Sequence, residues 1–207
     1  MLRRMTDLFL IADDFPAILD DIWKRLGRGA ADRRSPFHTP AVGSTDAQGH
    51  VQQRIMVLRN VDRATGSMRF HTDVRSAKVA QATVGRVAVL GYDAGAKTQI
   101  RAEGATAILT EGPEVRAAWS VTSPSGRRSY LTTQAPGTLS DAATSGLPEA
   151  ITMRMPTPEE TLTGRANFAL LVVTLDRLEW LHLAHSGHRR AAFARDGGDW
   201  HGQWLVP

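Results

Sequence analysis

The chain has 207 residues, 42% of them hydrophobic and 22% charged, a composition that fits an ordinary globular domain and favours neither a disordered nor a membrane class. Its 25 basic and 21 acidic residues leave a net charge of only +4, with the basic residues dispersed, so the dense cationic stripe of a nucleic-acid binder is not expected. The absence of cysteine excludes disulfide staples, thiolate metal sites and a cysteine nucleophile.

No apolar run approaches the roughly 18 residues that a membrane helix needs, so no membrane partner is expected. Met1–Leu10 carries Asp7 within its apolar part and lacks a small-residue cleavage site, so it does not read as a signal peptide. The expectation is a cytoplasmic protein with one domain over residues 1–207, a helical segment at 1–30 and a long loop at 135–161.

In chain order, Ile18, Leu19, Ile22, Trp23 and Leu26 make one apolar face and predict a helix over Phe15–Leu26, opened by Pro16 and closed by Gly27. Strands are predicted at Thr39–Ser44, Val51–Val61 and Ser67–Thr72, separated by the turns Asp46–Gly49 and Asp62–Gly66. An alanine-rich helix at Ser76–Thr83 precedes strands at Arg86–Tyr92 and Thr98–Leu109, and a helix follows at Pro113–Val121. Thr122–Gly164 is rich in Ser, Thr, Pro and Gly and reads as a long loop of the kind that carries function. Strands then close the chain at Phe168–Leu175, Leu178–Leu183, Arg189–Ala194 and Trp200–Val206. The fold class is mainly β (α+β): an antiparallel barrel of short strands with a few short helices.

Three ordered blocks resemble the pyridoxamine 5′-phosphate oxidase family of FMN-binding split β-barrels. Arg54-Ile-Met-Val-Leu-Arg59 is similar to that family's Arg-x-Val-Leu-Leu-Lys strand. Phe70-His-Thr-Asp-Val-Arg-Ser76-Ala-Lys78 is similar to Phe-Tyr-Thr-Asn-Tyr-x-Ser-Arg-Lys, and Gln99-Ile-Arg101-Ala-Glu103-Gly104 to Gln-Val-Arg-Ile-Glu-Gly. Trp180 and Arg190 keep the family's ten-residue spacing, His188 falls at the His of Arg-Leu-His-Asp-Arg, and Trp204-Leu-Val-Pro207 resembles the Leu-x-Pro ending.

FMN has a dianionic phosphate, a polar ribityl chain and a flat ring, and the blocks supply partners for each. The resemblance implies a cofactor site of Arg54, Ile55, Met56, Val57, Leu58, Arg59, His71, Thr72, Ser76, Lys78, Gln99, Gln134, Trp180 and Arg190, with Arg59, His188 and Arg127 orienting a substrate. The period of two sends Arg54 and Arg59 to opposite sides of an ideal strand, so their joint use needs a bulge, a strand edge or the backbone between them. Ser76 stands at a strand-to-helix junction, where it serves as an N-cap or as a phosphate donor with Thr72 and Lys78. Trp180 packs on the flavin or in the core, and Gln99 contacts a flavin edge or solvent. Arg101 and Glu103 share a strand face with Gln99 and can pair with each other. The three-residue spacing of His182, His185 and His188 fits no strand face, so no metal site is expected.

The resemblance implies an FMN-dependent oxidoreductase acting on a small, anionic substrate, as a homodimer with FMN at its interface. The alternatives are a nicotinamide-dependent flavin or quinone-type reductase on the same fold and a non-catalytic FMN- or haem-binding module. Ala77 replaces one family arginine at the phosphate. Trp119 stands at a tyrosine, Ser123 or a neighbour at an arginine and Ser186 at another arginine of the family's substrate-phosphate site, with Arg127 and Arg128 near enough to substitute. These departures count against pyridoxine 5′-phosphate as the substrate.

Overall fold

In the computed structural model, which describes residues 13–207, α1 (Phe15–Ala31) starts where Asp14 accepts a hydrogen bond from the Ala17 amide at 3.2 Å and Pro16 fills the first turn. The expectation for Met1–Leu10, and the first part of the helical segment 1–30, lie outside the described residues. Ile18, Ile22, Trp23 and Leu26 form the buried stripe of α1. The helix passes Gly27 because Gly27 meets no obstruction and Gly29 locks the next turn. The Phe37 backbone crosses Gly29 so closely that a Cβ there would lie 2.6 Å from the Phe37 carbonyl oxygen, and His38 Nδ1 donates to the Gly29 carbonyl at 2.7 Å. These tertiary contacts override the local stop signal.

Nine antiparallel strands follow: β1 (Ala41–Thr45), β2 (Val51–Ile55), β3 (Leu58–Asp62), β4 (Ser67–Asp73), β5 (Arg86–Asp93), β6 (Thr98–Leu109), β7 (Phe168–His182), β8 (Arg189–Asp196) and β9 (Asp199–Leu205). Their order is β2-β1-β5-β6-β7-β4-β3, with β8 added to β7 and β9 to β8. The curled sheet does not close. β4 pairs with the first half of β7 and β8 with the second half, so the ladder divides along β7.

Two strand boundaries differ from the sequence reading. Phe168–Leu175 and Leu178–Leu183 are one strand, interrupted by a bulge: Glu103 faces Arg177 and Gly104 faces Leu175, leaving Asp176 as the extra residue. A Cβ at Gly104 would lie 2.1 Å from the Thr174 carbonyl oxygen, so only glycine fits the bulge. Val51–Val61, by contrast, is two strands. Met56 N bonds to Pro40 O at 3.1 Å and Leu58 N to His38 O at 2.9 Å, which turns the chain between β2 and β3. A second register shift falls between Leu58 and Asn60, at Arg59.

The inner face of the barrel holds Val42, Val89, Ala102, Leu178 and Phe193, which meet in successive register, and α1 covers its β3 side. A second, smaller core lies under α3 (Pro113–Val121), where Val115, Trp119 and Tyr130 pack on Phe168 and Leu170. Both faces of β7 are therefore covered along Phe168–Leu171, which explains that uninterrupted apolar run.

The remaining helices are short: α2 (Ala77–Val84), α4 (Pro124–Arg127), α5 (Glu149–Thr152) and 3-10 segments at Arg128–Tyr130 and Glu160–Asn167. Of the last four, three lie within the Thr122–Gly164 stretch read as loop and the Glu160–Asn167 segment begins in it. Arginines tie that stretch down: Arg75 donates to Thr132 O at 3.0 Å, and Arg128 to Ile151 O at 3.0 Å and Thr152 O at 2.7 Å. Among the described residues no helix is long and apolar enough to cross a membrane.

Candidate functional site

Two cations and three hydroxyls gather where β2 and β4 meet α2. Arg54 points to the inner side of β2, donating from Nη1 to Ser44 Oγ at 2.7 Å and from Nη2 to Gln81 Oε1 at 2.8 Å. Lys78 Nζ donates to Ser76 Oγ at 3.1 Å, and Thr72 Oγ1 lies 3.4 Å from the same oxygen. Ser76 opens α2, but its hydroxyl donates to Asp73 O at 2.7 Å, so no side chain caps the first turn. Burial, and then the charge of Arg54, lower the Lys78 pKa, while Asp73 acts the other way. Asp73 is itself engaged by Arg75, at 2.7 and 3.0 Å. The cluster is thus a half-buried pair of cations with hydroxyl donors and an uncapped helix end, a donor set that fits a phosphate dianion.

A cavity of about 710 Å³ lies on the other side of β4. Its floor is Arg69 and His71, which alternation places on one face of β4, together with Leu170 of β7. Arg59 and Asn60 of β3 form one wall, Ala30 and Arg33 from the end of α1 another. The roof is α3, through Glu114, Ala117, Ala118 and Val121, with Ser123 and Ser125 just beyond it. His71 packs edge-on against Phe168, with ring centroids 4.8 Å apart. Burial, and next the nearby Arg59 charge, push the His71 pKa down to about 4, so the imidazole is neutral at pH 7. Its Nδ1 is buried without a hydrogen-bond partner among the described residues. Burial likewise pushes Tyr130 up to about 12, which keeps that phenol protonated.

The break between β2 and β3 gives the Arg54–Arg59 block its geometry. Arg54 joins the phosphate-like cluster and Arg59, at the register shift, lines the cavity, while Met56 and Leu58 are buried, Val57 is half-buried and Ile55 is exposed.

Gln99 and Arg190 lie elsewhere. They face outward from the sheet in one row, Tyr92–Gln99–Leu181–Arg190–Leu205. Arg190 holds Glu179 through two bonds of 3.1 Å, and Arg101 reaches Glu179 at 3.6 Å and Glu103 at 3.7 Å. Trp180 belongs to the opposite, inner face. It is 1% exposed, lies between Ile100 and Ala191 in the ladder, and its indole nitrogen has no partner among the described residues. The structure therefore separates Trp180 from Arg190 within one chain.

Arg127 lies 4.8 Å over the Trp119 ring and donates to Trp119 O at 2.9 Å and Ser120 O at 3.1 Å, an arrangement that braces the end of α3. Arg128 is engaged by α5, and neither lines the cavity. His188 is exposed in the turn before β8, and Gln134 is exposed in the long segment after Tyr130. Sequence reasoning missed four participants: Ser44 and Gln81 beside Arg54, and Arg33 and Arg69 in the cavity. Alternation from His71 reaches Arg69. Nothing in the sequence brings Arg33 to it.

No protein-family model matches the sequence, and no curated protein does. Solved structures do. A pyridoxamine 5′-phosphate oxidase-related, FMN-binding protein from Nostoc punctiforme is 20% identical and superposes with a TM-score of 0.73, covering 91% of this chain and 96% of that one. PhzG from Burkholderia lata, in complex with tetrahydrophenazine-1-carboxylic acid, is 22% identical with a TM-score of 0.68, covering 93% and 92%. A Clostridium acetobutylicum protein related to general stress protein 26, of the pyridoxinephosphate oxidase family, is 12% identical with a TM-score of 0.50, covering 78% and 89%. At these identities the likeness is one of fold. The chain has the split-barrel fold found in pyridoxamine 5′-phosphate oxidase-related, FMN-binding proteins.

Proposed function

We propose that two copies of this chain bind FMN between them and catalyse an FMN-dependent oxidation or reduction of a small anionic substrate. The observation that carries this reading is the Arg54–Lys78–Ser76–Thr72 cluster, whose two cations lie side by side with Asp73 already engaged by Arg75. Each charge-assisted hydrogen bond from such a group to a phosphate stabilises the complex by about 1.5–3 kcal/mol. Bound there, FMN supplies the redox chemistry, and the protein supplies position and electrostatics. The cavity beyond Arg59 is the substrate side: its cationic wall suits an anion, and the neutral His71 offers a hydrogen bond from a sheltered position. PhzG, of the same fold, is known with a carboxylic acid bound, which agrees with such a substrate.

The two faces of the sheet support the dimer. Arg54 points inward and Gln99 and Arg190 point outward, so one chain does not bring both sets to one FMN. The outward face also carries exposed apolar side chains: Ile55 and Leu90 flank the half-buried Ala41 in one row, with Val51 and Tyr92 beside it. A second copy seated there buries them and brings its own Gln99 and Arg190 to the first copy's cluster, in the C2 arrangement most common for homodimers. The test is a titration of the protein with FMN, followed by flavin fluorescence. The reading predicts saturable binding that Arg54→Met weakens at least tenfold, and an unchanged affinity in that variant would remove the cluster from the site.

A further inference from the structure

We infer that Arg69 and Arg33, beside Arg59, form an oxyanion-binding wall in the cavity under α3, and that a ligand of this cavity presents a carboxylate or phosphate monoester to that wall. The inference rests on the reading of this cavity as the substrate side. Arg33, Arg59 and Arg69 all line it, and among the described residues none of them has a carboxylate within 4.0 Å. Glu114, on the roof, is the one acidic residue lining it among those described, so three guanidiniums face one carboxylate, and the rest of the lining, including Asn60 and the neutral His71, carries no charge. Arg69 Nε and His71 Nδ1 are both shut off from solvent without a hydrogen-bond partner among the described residues. Buried polar atoms are ordinarily satisfied, and these two unpaired nitrogens belong to neighbouring side chains on the strand face that floors the cavity. A guanidinium fork offers two parallel donors to an oxyanion, which is the geometry carboxylates and phosphates share.

This wall is built from β3, β4 and the end of α1. It lies across the cavity from the α3 end, where Trp119 and Arg127 brace each other. A substrate anchored at Arg69 is therefore held by the sheet, whose position the β4–β7 ladder fixes, with the short helices as its cover.

The test uses the full chain with excess FMN and three probes of one shape: benzoate, phenyl phosphate and the neutral benzamide, titrated by calorimetry. The account predicts that one or both anions bind at least tenfold more tightly than benzamide, and the tighter anion identifies the class as carboxylate or phosphate monoester. Arg69→Met should weaken the anion at least tenfold and Arg33→Met severalfold, with benzamide and FMN affinities unchanged. Arg33 is exposed after α1, so its variant reports even where Arg69→Met fails to fold. Equal binding of anions and benzamide, or equal losses for both in Arg33→Met, overturns the inference. FMN affinity, measured in the same samples, keeps the two readings apart: FMN bound without anion preference sinks only the wall, and anion preference without FMN sinks only the flavin.

Discussion

Lys78 Nζ donates to Ser76 Oγ across 3.1 Å at the opening of α2, a bond that leaves the ammonium half-buried beside the guanidinium of Arg54 and, among the described residues, without a carboxylate within 4.0 Å. Two neighbouring cations raise each other's cost of charge, and a phosphate dianion reverses that cost. Lys78→Ala should weaken FMN binding by roughly tenfold to a hundredfold, the equivalent of one charge-assisted hydrogen bond. A titration of wild type and variant by flavin fluorescence decides it, and equal dissociation constants would take Lys78 out of the site.

His71 gives the fold a pH dependence whose sign is fixed. Its folded-state pKa is about 4 against an ordinary 6.5, because burial and then Arg59 disfavour the imidazolium. The unfolded chain therefore binds the extra proton first as pH falls, so stability present above pH 6.5 is lost between there and about pH 4. The loss through this group is at most about 3 kcal/mol. Urea midpoints at pH 7 and pH 4.5 should differ less in His71→Gln than in wild type. Identical pH dependences would mean that His71 is not buried as described.

Gly104 closes the third sequence block, and the structure gives it a purely steric task. A methyl group there would meet Thr174 O at 2.1 Å, inside the bulge that bends β6 and β7 together. Gly104→Ala should cost about 2–4 kcal/mol, at the upper end of overpacking substitutions because the obstacle is backbone. Chemical denaturation reads this directly, and a loss under about 0.5 kcal/mol, the range of an ordinary surface change, would contradict the bulge.

What the sequence revealed and what it hid follow from the range of the forces involved. Alternation and helical periodicity are local, so α1, the β1–β2 and β3–β4 hairpins and the antiparallel class were legible in the sequence, whereas the meander expected over β1–β4 is broken: β2 and β3 do not pair and stand at opposite ends of the strand order. Parity is also local, and it left a bulge, a strand edge or use of the backbone open for Arg54 and Arg59; the structure has a chain break between β2 and β3, where the strand pairing stops, and a register shift at Arg59. Contacts between distant segments leave no such trace. The helix ran past Gly27 because Phe37 locks Gly29, β7 remained one strand because a bulge accommodates Asp176, and the Thr122–Gly164 stretch is organised by arginines bonded to carbonyls. Arg33 entered the cavity unannounced for the same reason: only the packing of α1 on the barrel brings it there. Trp180, by contrast, was open to either a core or a flavin role, and its inward parity on β7 decides for the core within one chain.

Ile55 is 66% exposed and Leu90 42% exposed, and they flank Ala41 in one row of the outward face. If a second copy covers them, light scattering of the wild type should report a dimer. Ile55→Glu should then yield a monomer with normal thermal stability and at least tenfold weaker FMN binding. A wild-type monomer that saturates with FMN would contradict the shared site.

The central claim is that this chain holds FMN, and the visible absorption spectrum of the purified protein, before and after incubation with FMN and removal of free ligand, tests it most directly. The account predicts the two-banded flavin spectrum, shifted from that of free FMN, at a ratio near one flavin per chain, with the chromophore released on denaturation. A folded protein that stays colourless after that incubation would contradict it.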